Sequence, residues 1–257
     1  MSQRRRWFPP RPHTKRGLAL TIAGGALVVV VAGFALVYFV IFPTSSPAPF
    51  ALTTTAGSTT GVSVSSTQTT SSSSTTTGSG GHWTIASGSQ AGYRVREKLA
   101  FLPAQSDAVG RTSSITGGAT LTESKDGVTI TAASFSVAVN TLKSDRSMRD
   151  EKIHEIGLES DRYPKATFVL SASIALPTSA RAGHVVHASI TGVFDIHGVS
   201  KRETLPAELS LSGSTLQAVG SLTFPWSEFG MSAPSIGGFV NVTEKATMEF
   251  DLRLQRA

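Results

Sequence analysis

The chain has 257 residues, a formal net charge of +6 and no cysteine. Without cysteine it has no disulfide framework, thiolate metal site, thiol nucleophile or lipidated cysteine, so any domain has to rest on a conventional hydrophobic core. The charge excess lies wholly in Arg4, Arg5, Arg6, Arg11, Lys15 and Arg16; the balanced remainder lacks the basic stripe that phosphate neutralisation needs, which excludes nucleic acid as a partner.

Residues 1–17 form a basic tail. Leu18 to Phe42 follow without a charged side chain, LALTIAGGALVVVVAGFALVYFVIF, enough at ~1.5 Å per residue to cross a hydrocarbon core of ~30 Å. A cleaved signal peptide would have a shorter apolar region, about 7–15 residues, ending at a small-residue site. The expectation is therefore an uncleaved transmembrane helix over 18–42. All nearby positive charge precedes it, which places the N-terminus in the cytoplasm and the rest outside the cell membrane. Residues 43–81 are almost wholly Ser, Thr, Gly, Pro and Ala. Such a tract cannot bury a core and reads as a disordered linker with a root-mean-square reach of ~30–35 Å.

From His82 to the C-terminus the pattern is period-two alternation, clearest in Val186–Thr191 and Thr247–Leu254. Further strands are expected at Ala91–Val95, Thr112–Leu121, Val128–Val139, Ala166–Leu176, Leu205–Leu211 and Thr215–Phe224. Lys125-Asp126-Gly127, Ile196-His197-Gly198 and Ser212-Gly213-Ser214 supply turn chemistry between them. About eight strands without a βαβ rhythm indicate an all-β antiparallel barrel or sandwich. Ser144 to Ser160 breaks the alternation. Its helix formers, the N-cap candidates Ser144 and Asp145 and the i,i+4 pair Arg146/Asp150 predict one helix inserted between two strands.

Motifs for chemistry are few. There is no nucleophile elbow, phosphate-binding glycine loop or H-E-x-x-H. His184 and His187 stand three apart at a strand start, which puts them on opposite faces, so no metal site is expected. His197 lies in a turn, where a structural hydrogen bond is the ordinary role. The acidic residues of Ser144–Ser160 alternate with Arg146, Arg149, Lys152 and Arg162, the pattern of a solvated, ion-paired surface. Neither an enzyme nor a cofactor is indicated.

Several segments carry a family resemblance when taken in order: Trp83-Thr84-Ile85 with Ala91-Gly92-Tyr93-Arg94-Val95; Val109-Gly110-Arg111-Thr112 leading to Ile115-Thr116-Gly117; Phe135-Ser136-Val137 with Asn140 to Asp145 and Arg149-Asp150; Tyr163-Pro164-Lys165-Ala166-Thr167-Phe168; Ile196 to Lys201; and Trp226-Ser227-Glu228-Phe229-Gly230. Residues 82–257 thereby resemble the YceI-like family of lipid- or polyisoprenoid-binding proteins, particularly its stalked, membrane-anchored members in high-GC Gram-positive bacteria. The resemblance implies an eight-stranded, lipocalin-like antiparallel barrel with a helix across it and an apolar interior for an isoprenoid chain. It implies as ligand a long-chain isoprenoid lipid or quinone. This chain departs from the family in having Arg96-Glu97 where many relatives have a histidine, and Trp226 where they often have arginine, so headgroup contacts at those positions do not carry over. Tyr93, Phe135, Phe168, Phe194, Phe224 and Phe250 are the aromatic candidates to line a cavity. Ala172 is expected to face inward with Phe168. Small residues at Thr131–Ser134 and Ala172–Ala175 leave room inside. A packed barrel serving as a stalked protein-interaction module is the rival reading.

Overall fold

The computed structural model describes residues 46–52, 80–99, 105–236 and 240–257. Leu18–Phe42 and most of the expected linker lie outside these residues; among those described, no helix is long and apolar enough to cross a membrane.

Twelve strands are present among the described residues: β1 (Gly81–Ile85), β2 (Gln90–Leu99), β3 (Gln105–Thr112), β4 (Ile115–Ser124), β5 (Gly127–Ala138), β6 (Lys165–Leu170), β7 (Ile174–Pro177), β8 (Val186–Ile196), β9 (Val199–Ser212), β10 (Thr215–Pro225), β11 (Ser235–Ile236) and β12 (Val240–Arg256). The hydrogen-bonded order β1-β4-β5-β6-β8-β9-β10-β12 closes because β12 also pairs β1, with Trp83 opposite Arg256 and Ile85 opposite Leu254. All pairings are antiparallel, so the fold is a closed eight-stranded barrel. The extra segments come from breaks in long strands. β1 and β2 are separated at Ala86–Ser89, where Gly88 adopts φ +87° and the Ser89 hydroxyl reaches the Arg253 backbone. β3 and β4 are separated at Ser113-Ser114, where the Thr112 hydroxyl accepts the Ser114 N–H and meets the Thr141 hydroxyl. The ring closes through the β1–β12 pairing, and its twist is helped by the bulges at Thr120/Leu121 and Val242/Ala246.

The sequence places the long strands well and two features imprecisely. Ala166–Leu176 is not one strand: β6 stops at Leu170, Ser171–Ser173 bends, and β7 pairs with the other end of β5. The inserted helix is also shorter than Ser144–Ser160. Helix α1 spans Ser147–Lys152 and continues as a π-helical turn over Ile153–Gly157. Ser144 does not cap it. Instead the Asp150 carboxylate accepts the Ser144 N–H at 2.8 Å, so Asp150 closes the preceding loop rather than pairing with Arg146.

The barrel has two unlike ends. At the end formed by the β4–β5 and β9–β10 turns, Trp83, Leu121, Leu211, Leu216 and Leu254 are buried and fill the interior. At the opposite end the chain from Val139 to Pro164 crosses the opening, and Leu142, Ile153 and Leu158 point into it. His197 fixes this cover: in the two-residue β8–β9 turn it adopts φ +55° and Gly198 φ +72°, its ring lies 4.2 Å from that of Tyr163, and its Nε2 is 3.2 Å from a Glu159 carboxylate oxygen.

Candidate functional site: an apolar lumen

Between the filled floor and the cover lies a cavity of about 180 Å³ with an almost purely apolar lining. Its walls follow from the alternation: on β12 Met248, Phe250, Leu252 and Leu254 point in, while Thr247, Glu249, Asp251 and Arg253 point out. Tyr93, Phe135, Phe168, Phe194, Phe224 and Phe250 all border it. Ala172 does not. It stands exposed in the bend between β6 and β7, because the strand expected to carry it inward has already ended.

The reason a cavity persists among so many rings is steric. Tyr93 lies opposite Gly110 and Phe250 opposite Gly220, and Phe168 leans over Gly192. A Cβ on Gly192 would stand 2.0 Å from the Phe168 ring, and one on Gly110 2.3 Å from the Tyr93 ring. The rings therefore lie along the wall over bare backbone instead of crossing the lumen. Phe168 also contacts Phe194 at 4.7 Å between centroids and stacks near Phe135 at 6.4 Å. Glycine inside a strand is the sequence signal for such close approach; read that way, Gly110, Gly192 and Gly220 would have marked the wall.

Polar groups gather at the covered end. Glu97 points toward α1 and takes a bidentate hydrogen bond from Arg149, whose Nε and Nη2 lie 2.9 and 3.0 Å from its two oxygens. Arg149 also donates to Asp145. Burial opposes the Arg149 charge, but the bonds to Glu97 outweigh it and hold the guanidinium protonated beyond its ordinary range. Nearby, the Tyr93 hydroxyl is buried, with Ser144 beside it but no hydrogen bond of ordinary geometry. Burial, the largest influence, drives its pKa well up, so it stays a neutral donor. Trp226 borders the cavity and donates from Nε1 to the Thr243 carbonyl at 2.9 Å. Glu97 of the Arg96-Glu97 pair and Trp226, the positions expected to depart from the family pattern, thus both belong to the covered end.

The histidines do not assemble. His184 and His187 are exposed, the latter 3.8 Å from Glu208, and His154 bridges the Leu142 carbonyl and the Ser160 hydroxyl. Among the described residues no group of three or more His, Asp or Glu side chains has metal-binding geometry.

Comparison with known proteins adds three findings. A polyisoprenoid binding domain from Saccharophagus degradans, implicated in plant cell wall breakdown, superposes with a TM-score of 0.51 at 12% identity, over 69% of this chain and 99% of that one. BcnA of Burkholderia cenocepacia (TM-score 0.45, 20% identity, 63% and 95% covered) and the YCEI protein of Campylobacter jejuni (0.43, 10%, 82% and 99%) are more distant in shape. No curated protein matches the sequence. The YceI-like domain profile matches residues 83–254, which is most of the chain and nearly all of the barrel, and the protein therefore belongs to the YceI-like domain family.

Proposed function

We propose that the barrel binds, without chemical conversion, a long apolar lipid of isoprenoid type whose chain occupies the lumen, and that it does so at the outer face of the cytoplasmic membrane, anchored by Leu18–Phe42. The observation that carries this reading is the lumen itself: a space of about 180 Å³ whose lining offers almost nothing but apolar surface. Such a space stays dry or takes an apolar guest. It also counts against the packed interaction module. At ~0.8 kcal/mol for each buried CH₂, one five-carbon unit contributes about 3–4 kcal/mol, against an association cost of about 4–15 kcal/mol. Several units are therefore needed for tight binding, which favours a chain over a compact ligand. The fold shared with the Saccharophagus degradans polyisoprenoid binding domain supports the same class.

The covered end favours a neutral headgroup. A phosphorylated lipid is held best by a cation at the lumen, and the buried Arg149 beside it is already engaged by Glu97 and Asp145. The Tyr93 hydroxyl is instead a neutral donor beside the lumen, suited to a carbonyl such as that of a quinone. Trp226 borders the cavity whereas Trp83 is sealed in the floor. An isoprenoid quinone titrated into residues 46–257 is expected to quench tryptophan emission saturably, and Trp226→Phe to remove most of the effect. A flat titration, or equal quenching by the headgroup without its chain, would reject the reading.

A further inference from the structure

Outward positions on a single-layer barrel are normally wet, yet three of them are almost fully buried: Val109 on β3 at 4% exposure, Val219 on β10 at 5% and Glu249 on β12 at 4%. The chain standing over this part of the wall is Ser46–Leu52, inside the expected linker. Pro49, Phe50 and Ala51 share a hollow with Val219, Glu249 and Arg94. Arg94 donates to the Pro47 carbonyl at 2.7 Å and Arg111 to the Ala48 carbonyl at 2.6 Å, while the Arg111 guanidinium lies 3.8 Å over the Phe50 ring. Leu52 N–H donates to the Glu208 carboxylate at 3.3 Å, and the Ser46 hydroxyl donates to the Asp107 carbonyl. Glu249 sits between both arginines, 3.3 Å from Arg94 and 2.8 Å from Arg111. A carboxylate buried on the outside of a barrel contributes nothing to its interior; here it holds two guanidiniums so that each presents a donor to the passing backbone. Pro47 and Pro49 restrict the segment beforehand, which lowers the entropy lost on docking.

The register gives the segment a direction. Asp107 lies opposite Arg96, next to the Glu97 that binds α1, so Ser46 enters at the covered end. Glu208 lies opposite Val219, which faces Asp251 and through it Gln90, so Leu52 leaves farther down the wall. Four Cα steps separate Phe42 from Ser46, a reach of at most ~14 Å, in place of the ~30–35 Å of a free linker. Among the described residues, the exposed large apolar side chains at the covered end are Met148 at 66% and Ile156 at 42%, on the outer side of α1 and the π-helical turn.

We propose that Ser46–Leu52 is a strap that turns the long linker into a short leash and holds the covered end of the barrel on the lipid bilayer, with Met148 and Ile156 as the contact. This rests on Leu18–Phe42 being a membrane anchor. A short leash entering beside the cover leaves the bilayer surface as the apolar partner within reach of these side chains, and interfacial helices bury residues of this kind at the headgroup boundary. Lipid then passes between bilayer and lumen at the end bordered by Leu142, Ile153 and Leu158 without crossing open water.

The native chain has no cysteine, so single cysteines report cleanly in the full-length protein in phosphatidylcholine–phosphatidylglycerol nanodiscs. Bimane on Met148→Cys or Ile156→Cys is expected to be quenched by spin-labelled lipid several-fold more than bimane on Lys125→Cys in the β4–β5 turn. Phe50→Ser with Arg111→Ala is expected to bring Met148→Cys down to the Lys125→Cys level. Equal quenching at both ends, or quenching that the double variant leaves unchanged, overturns the proposal. A short bis-maleimide tests the strap separately, since it should join Ala51→Cys to Ser189→Cys and should lose that link when Phe50→Ser and Arg111→Ala are added. If the pair links but Met148→Cys is not quenched, the exposed face serves a protein or a second copy and the membrane contact is rejected. If the chain never enters nanodiscs, the anchor fails and the membrane contact with it, while the link still decides the strap.

Discussion

The two halves of the barrel use the same alternation of inward and outward residues to opposite effect. In the floor, Trp83, Leu121, Leu211, Leu216 and Leu254 are each at most 2% exposed, and their volumes close the interior. Toward the covered end, Phe135, Phe168, Met248 and Phe250 pack against the core on one side but are only partly buried, because their other side borders the cavity. The floor therefore contributes stability and the upper half contributes room. The residue that decides between them is often on the neighbouring strand: leucine facing leucine, as Leu211 faces Leu216 and Leu216 faces Leu254, fills space, while an aromatic facing glycine, as Phe250 faces Gly220, lies down and frees it.

This division predicts a graded series of effects. The largest belongs to the floor, where Trp83→Ala should cost about 3–5 kcal/mol in denaturant unfolding, with the surviving folded protein still able to bind lipid. Next is Gly192→Ala: the new Cβ has to displace the Phe168 ring into the lumen, which should cost about 1–3 kcal/mol and lower the lipid carried per folded molecule. Phe168→Ala should cost less than a floor substitution of like size, since its ring is partly buried against a void, and should chiefly shorten the lipid's residence time in a competition assay. The smallest effect is expected from Ala172→Trp. Its exposed bend should accept the ring within about 0.5 kcal/mol and leave lipid content unchanged. A loss of lipid in that variant, equal to that in Gly192→Ala, would erase the distinction between wall and surface.

Ala172 also shows where the sequence stopped being legible. β8 and β12 were plain because each keeps strict alternation over many residues, and burial of one face enforces it. Ala166–Leu176 continues an acceptable pattern through Ser171–Ser173, and nothing local announces that the chain bends there to reach the far end of β5. The six aromatic wall positions could be named because aromatic residues on alternating strands must face the interior. Their arrangement depends on glycines that meet them only through cross-strand register, and Gly110, Gly192 and Gly220 are each distant in sequence from their ring. The cover shortened for a similar reason: Asp150 and Arg149, counted as helix-surface charges, turn to Ser144 and Glu97 once tertiary partners exist. Ser46–Leu52 was hidden by composition, since its proline and alanine match the tract around it while its partners Arg94, Arg111 and Glu208 lie in strands far along the chain.

A lipid-binding barrel of this kind has its lumen occupied by lipid in the native protein. Native mass spectrometry of residues 46–257, purified without detergent from cells of a polyisoprenoid-producing bacterium, tests this directly. The expected spectrum shows a folded species heavier than the polypeptide by one discrete lipid mass, which solvent extraction identifies as an isoprenoid with a neutral headgroup and which is depleted in Gly192→Ala. A spectrum at the polypeptide mass alone, unchanged after incubation with isoprenoid quinone or polyprenyl lipid, would contradict it.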